Sequence, residues 1–317
     1  MTARAVEPRV LLAVLTYRRP ADLQEVLPLL LAQTSRVDAS TEVLVVDNDP
    51  DAGARDLVRG MAERGAVRYV HEAAPGIAAA RNRALVEAAG FDLLVFIDDD
   101  ERPVEDWLAL LLATYAIDHP AAVVGPVVSR YEGDLDPWIR AGRFFERRRL
   151  ATGTVVDVAA TNNLLLDLAQ VRALGVEFDE RFGLSGGSDT LFTRQLAARG
   201  GRMVWCDQAV VWDVVPASRS TRQWVLRRAF RSGNGHSRVA LDGVKTAVGR
   251  LRVRARLTAH GAVRLAGGSA RWLAGVLTAS LSRRVRGLRT AARGAGMLSG
   301  AYGYVYSEYK RKPVPTP

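Results

Sequence analysis

Four consecutive carboxylates, Asp98-Asp99-Asp100-Glu101, follow the apolar run "LLVFI" at residues 93–97. Ionised carboxylates repel one another and are strongly disfavoured beside apolar surroundings unless something offsets their charge. On a strand, alternate side chains share a face, so Asp98 and Asp100 are expected to converge while Asp99 points away. An Asp-x-Asp leaving a strand end suits one hard divalent cation, Mn2+ or Mg2+. Water and phosphate oxygens would complete its coordination. The alternative is an acidic loop splayed into solvent.

Four other places carry residue types that do chemistry. Asp47 ends "VLVVDND", where a carboxylate can accept hydrogen bonds from a base or ribose, or serve a turn with Asn48, Asp49 and Pro50. Asp189 follows two glycines in "GGSDTLFTRQL" and reads either as a helix cap or as a general base presented by a tight loop. Arg81 and Asn82 interrupt an alanine-rich helix, and Arg81 either faces a diphosphate or forms a surface ion pair. His236, in "RSGNGHSR", is a loop histidine or a contact to metal or phosphate.

The elements that must position these groups alternate. "RVLLAVLTY", "TEVLVVDND", "AVRYVHE" and "FDLLVFIDDD" read as strands, separated by the helix-like "ADLQEVLPLLLAQ", "DAGARDLVRGMAERG" and "PGIAAARNRALVEAAG". Apolar strands alternating with helices predict an α/β fold with a mostly parallel sheet covered on both faces. Ligands of such sheets lie beyond the carboxyl ends of the strands, where Thr16, Asp47 and Asp98 all fall. Further on, "AAVVGPVVSRY" reads as one strand, residues 132–149 as an irregular insertion, "VVDVAATNNLLLDLAQVRALG" as a strand and short helix, and "RMVWCDQAVVWDVVP" as a strand pair. Leu273, Leu277, Leu281, Val285 and Leu288 recur at helical spacing with arginines interleaved, which predicts a basic amphipathic helix.

Composition narrows the classes. The 317 residues, 48% hydrophobic and 25% charged, are those of a globular protein. Cys206 is the only cysteine, so no intrachain disulfide forms and a reducing compartment is expected. The first twenty residues show no leader pattern, and no run of about 18 apolar residues predicts a membrane span. The net charge of +10 is uneven: from Arg219 onward 21 Lys/Arg face two acidic residues, which leaves the preceding part net acidic. A basic helical C-terminal extension over 241–317 is expected to follow the acidic body, in the cytoplasm or on the inner face of the cell membrane.

The ordered set Thr16-Tyr17-Arg18-Arg19-Pro20, Asp47-Asn48-Asp49, Gly76 through Arg81-Asn82, Asp98-Asp99-Asp100, Thr161-Asn162-Asn163 and Gly186-Gly187-Ser188-Asp189 resembles the family 2 glycosyltransferases of GT-A fold. The stretch from Phe178 to Asn234 further resembles the succinoglycan-type exopolysaccharide glucosyltransferases. The resemblance covers residues 8–240, the expected catalytic domain, and implies metal-dependent inverting sugar transfer from a nucleotide diphosphate sugar, UDP-linked by preference, to a glycan, lipid-linked or secondary-metabolite acceptor. By the same resemblance Thr16 and Asp47 flank the nucleobase, and Asp98 meets the ribose. Arg18, Arg81 and Asp99 join the donor-binding set, Asp100 binds the metal, and Asp189 is the base. The chain departs from the family's Glu-Asp pair in having Ser188, and from a frequent acid in having Leu191. Asp213 stands where relatives often have histidine, so the third metal ligand is Asp213 or His236. An anionic membrane surface is an expected partner and nucleic acid is not, because the tail has few aromatics to stack on bases. A nucleotidyltransferase would show a glycine-rich loop where "TYRRP" stands. A non-catalytic binding module would leave the ordered acids unexplained.

Overall fold

The structure, a computed structural model of the chain, describes residues 7–62 and 67–306. The chain divides into two compact units. One comprises Met1–Val128, Arg147–Gly183 and Ser188–Val214; the other comprises Ser129–Glu146, Leu184–Gly187 and Val215–Pro317.

The first unit opens with β1 (Arg9–Thr16), α1 (Pro20–Thr34), β2 (Ser40–Asp47), α2 (Arg55–Ala62), β3 (Val67–His71), α3 (Ile77–Glu87) and β4 (Leu93–Asp98). The continuation of α2 expected through residue 65 lies outside the described residues. Next come β5 (Glu101–Pro103), α4 (Trp107–Asp118), β6 (Ala122–Val124) and β7 (Val127–Tyr131), whose last residues belong to the second unit with α5 (Pro137–Gly142). The chain then returns through β8 (Asn163–Asp167), α6 (Leu168–Ala173), α7 (Ser188–Ala198), β9 (Met203–Trp205) and β10 (Val211–Val215).

Among the described residues, seven strands form one sheet of order β3-β2-β1-β4-β8-β6-β9, and three form a smaller sheet, β5-β10-β7. Pairings from β3 through β4 are parallel, and β8 runs antiparallel to both its neighbours. The central strand β1 is buried from Val10 to Thr16. Leu11, Ala13 and Leu15 enter one core, while Val10, Leu12 and Val14 enter the other. Burial on both faces is why the strand is continuously apolar instead of alternating. Register aligns the carboxyl ends: Thr16 lies opposite Asp47, and Leu15 opposite Asp98.

Three sequence expectations change. The run 121–131 is two strands in different sheets, broken at Gly125-Pro126. Proline donates no ladder hydrogen bond, and a Cβ at Gly125 would lie 2.3 Å from Asn163 Nδ2. The strand expected from Val155 begins only at Asn163, with Val155 in an isolated bridge to Val204. The basic stripe 273–288 does not lie on one helix. It is interrupted by a turn in which Ala279 adopts φ 51°.

In the second unit Asp136 caps α5, its Oδ1 accepting from Trp138 N at 2.8 Å. Thr221, Thr246 and Ser280 cap α8 (Arg222–Asp242), α9 (Ala247–Leu277) and α10 (Leu281–Ala301). The boundary expected at residue 240 therefore falls within α8, and His236 lies on that helix instead of in a loop. α10 packs between α8 and α9 and also touches α5.

Candidate functional site

The strand carrying the acidic run ends at Asp98, so the alternation of faces stops there. Asp99 does not point away from Asp100. Arg19 Nη1 donates to Asp99 Oδ1 at 2.9 Å and to Asp100 Oδ2 at 2.7 Å. Thr16 Oγ1 donates to Asp99 Oδ2 at 2.8 Å. Glu101 folds back as the start of β5, accepting from Asp98 N at 3.1 Å and from Asn162 Nδ2 at 2.6 Å. The repulsion among four adjacent acids is thus offset by an arginine and by short donors, and burial favours the neutral form of three of them. Burial, with Asp100 beside it, pushes the Asp98 carboxyl up to about 7 against the opposing pull of Arg81. Burial raises Asp99 to about 6 although Arg19 opposes it, and burial with Asp98 nearby lifts Glu101 well above the ordinary range.

Asp47, fully buried, is held by the backbone that follows it. Its Oδ1 accepts from Asp49 N at 2.9 Å; its Oδ2 accepts from Ala54 N at 2.9 Å and Tyr69 OH at 3.0 Å. The side chain therefore shapes the loop 48–54. Arg18, at φ 55°, pairs with Asp49 and Asp51 on the exposed side. Asn48 ties the next loop in place, donating to Glu72 O and Ala74 O and accepting from Gly76 N. Gly76 has φ 119°, and a Cβ there would meet the Gly183 carbonyl carbon at 3.0 Å, so only glycine fits this approach.

Arg81 is buried, its guanidinium over the Phe178 ring at 5.5 Å, and Nη1 donates to Ser188 Oγ at 2.7 Å. Neither a surface ion pair nor a solvent-facing arginine describes it. Ser188 begins α7, and Asp189 lies within its first turn, half-buried, with Oδ1 accepting from Thr190 N at 2.7 Å. A carboxylate is favoured there by the helix dipole. Leu191 and Phe192 are buried in the same helix, which explains why an acid at 191 would not be accommodated.

Asp213 lies on β10 opposite Glu101 and is paired with Arg147 Nη2 at 2.5 Å. Among the described residues, no group of three His, Cys, Asp or Glu side chains stands ready as a metal cage. The donor set fits a hard cation that arrives with a diphosphate, taking one carboxylate from the protein and the rest from phosphate and water. Asp100, which accepts from Arg19, is one of the carboxylates that could supply it.

Arg19, Arg147, Glu101, Asn162 and Ser188 were not singled out by sequence reasoning as site residues. The position of Arg19 within "TYRRP" was a usable signal. Arg147 reaches Asp213 across 66 residues, and no local pattern announces that. Thr161, in the loop entering β8, keeps a buried hydroxyl with no protein partner among the described residues.

A family model for Glycosyl transferase family 2 matches residues 12–168. The succinoglycan biosynthesis protein ExoM of Rhizobium meliloti (strain 1021) is 36% identical over 233 residues, 73% of this chain and 75% of that protein. Among solved structures, the mannosyltransferase PcManGT from Pyrobaculum calidifontis, in complex with GDP-Man and Mn2+, aligns with TM-score 0.64 at 22% identity. The alignment covers 93% of this chain and 88% of that one. S. aureus TarS 1-349 in complex with UDP aligns with TM-score 0.52 at 17% identity over 90% of each chain. The fold is GT-A, as the ordered motifs implied. With this fold, this site and a relative of that identity and span, the chain belongs to glycosyl transferase family 2, which makes it a glycosyltransferase.

Proposed function

We propose that the chain transfers a hexose, with inversion, from a nucleotide diphosphate sugar to a glycan or lipid-linked acceptor in exopolysaccharide assembly. One observation carries this reading. Thr16, Asp47 and Asp98–Asp100 meet at the carboxyl edge of β1, β2 and β4, and Arg81, close enough to act on Asp98, ties Ser188 beside Asp189. Parallel sheets bind ligands at that edge.

The roles are those the family resemblance implies, and the positions support them. Asp47 shapes the loop flanking the nucleobase, Asp98 meets the ribose, and Asp100 would hold Mn2+ or Mg2+ together with the diphosphate. When bound, the cation would supply charge neutralisation for the departing nucleoside diphosphate. Asp189 accepts the proton of the acceptor hydroxyl as its oxygen attacks the anomeric carbon from the face opposite the leaving diphosphate. Bond making on one face and breaking on the other inverts the centre. Arg81 positions the first turn of α7 through Ser188. Nucleotide-sugar use is supported by structural neighbours solved with UDP and with GDP-Man and Mn2+, and exopolysaccharide assembly by the likeness to ExoM. The acceptor would be reached at the inner face of a membrane.

The test is release of nucleoside diphosphate from a panel of UDP- and GDP-sugars, with Mn2+, Mg2+ or chelator, with and without a membrane extract supplying acceptor. Metal-dependent turnover of one donor is expected. Metal-independent turnover would overturn the role of Asp100, and no turnover of any donor with acceptor present would overturn the transfer reading.

A further inference from the structure

The helix α9 is 31 residues long, about 46 Å at 1.5 Å per residue. Only Leu257, Gly261, Gly268 and Gly275 of it are buried. The three glycines recur every seventh residue: Gly261 and Gly268 face Gly294 and Gly287 of α10, also seven apart, and Gly275 meets the backbone at Arg283-Arg284. A Cβ at Gly268 would lie 2.5 Å from Ala291 N, one at Gly287 2.5 Å from Trp272 N, and one at Gly294 2.6 Å from Leu265 N. The two backbones therefore touch. A glycine seam buries little apolar area in water; it is the kind of contact by which helices associate in lipid, where close backbone packing replaces the hydrophobic effect.

What α9 leaves outside is apolar and cationic together. Trp272, Leu273, Val276, Leu277 and Leu281, around the turn into α10, are 40%, 51%, 44%, 78% and 39% exposed. Between residues 243 and 307 the sequence has twelve Lys/Arg and no Asp or Glu. Among the described residues, no arginine from Arg250 to Arg293 forms an ion pair. Arg286 of α10 donates to the backbone carbonyl of Ala141, and Arg289 to those of Gly142 and Arg143, with its guanidinium over the Phe144 ring at 5.7 Å. α10 is thus a packed helix, and α9 is a cationic helix without a counter-charge. No described helix is long and apolar enough to cross a membrane.

We propose that α9 and the α9–α10 turn form a docking surface for an anionic phospholipid bilayer. The turn residues 272–281 enter the headgroup boundary while the α9 arginines meet lipid phosphates. Charge complementarity selects this occupant. A second copy would set one arginine-rich face against another, and nucleic acid would find one aromatic, Trp272, along the whole of α9. The proposal is independent of the transfer reading, since it needs no donor or metal.

Co-sedimentation of the full chain with vesicles tests it, comparing phosphatidylcholine alone with phosphatidylcholine containing phosphatidylglycerol. Binding is expected only to the anionic vesicles and should weaken with salt, whose screening length is about 8 Å at physiological strength. Leu273→Glu with Leu277→Glu, both at exposed positions, should weaken binding about tenfold or more with the circular dichroism spectrum and soluble-donor hydrolysis unchanged. Failure of the wild-type chain to bind anionic vesicles at low salt would overturn the proposal. So would full binding by the double variant, or self-association that the double variant abolishes in place of vesicle binding.

Discussion

Arg19 Nη1 lies 2.7 Å from Asp100 Oδ2, so the carboxylate assigned to the metal is already held by a cation of the chain itself. The same nitrogen holds Asp99. A guanidinium there lowers the attraction of the acidic run for a divalent ion when no diphosphate is present. Arg19→Gln is expected to tighten binding of free Mn2+ about tenfold, or ~1.4 kcal/mol, in titrations followed by electron paramagnetic resonance. Unchanged or weaker affinity would show that Arg19 does not compete with the cation.

Asp100→Asn should remove the metal dependence of donor binding together with transfer. Calorimetry of the donor with and without Mn2+ reads this directly. A variant that still gains donor affinity from Mn2+ would move the metal to another carboxylate.

Asp189→Asn should leave donor affinity near wild type and lower the transfer rate about 10²–10⁴-fold, the usual contribution of a general base. Its half-buried position in the first turn of α7 is the reason to expect separation of the two effects. Lost donor affinity with an intact fold would argue instead for a place in donor binding.

Burial, reinforced by the bond to Asp47, pushes the Tyr69 phenol up to about 12. Its neutral form is favoured in the folded state, so the stability it contributes is fully present below pH 10 and is lost as pH rises from 10 through 12. Tyr69→Phe should flatten alkaline unfolding across that window relative to wild type, followed by circular dichroism. An identical alkaline profile would mean that the phenol does not hold Asp47 in solution.

Gly267 and Gly268 are neighbours on α9 with opposite surroundings. A Cβ at Gly267 meets nothing within 4 Å, and one at Gly268 meets the backbone of α10. Gly267→Ala should stabilise by about 0.5–1 kcal/mol through helix propensity, and Gly268→Ala should destabilise by about 1–3 kcal/mol. Denaturant unfolding and the rate of proteolysis in the turn at 278–280 check the contrast. Equal effects at the two positions would remove the case for a tight seam.

Much of the site was readable from the chain alone, because its parts are local. Continuous apolar runs ending in Thr16, Asp47 and Asp98 mark doubly covered parallel strands, and such strands bring their ends together whatever the loops do. Asp189 at a helix start after two glycines was legible for the same reason. The neighbours that set the electrostatics were not. Whether Asp99 faces Arg19 or solvent depends on where β4 stops and the chain turns into β5, a choice made by antiparallel pairing with Val211–Asp213 more than a hundred residues away. Arg81 reaching Ser188 and Arg147 reaching Asp213 are likewise products of packing between distant segments. In the C-terminal part, helical spacing predicted an amphipathic helix, and the spacing of 273–288 survived only as two helices joined at Ala279. Side-chain periodicity reports which residues share a face if the helix continues. Only the backbone contact across Gly268 and Gly287 decides that it folds back, and which face is left to meet a partner.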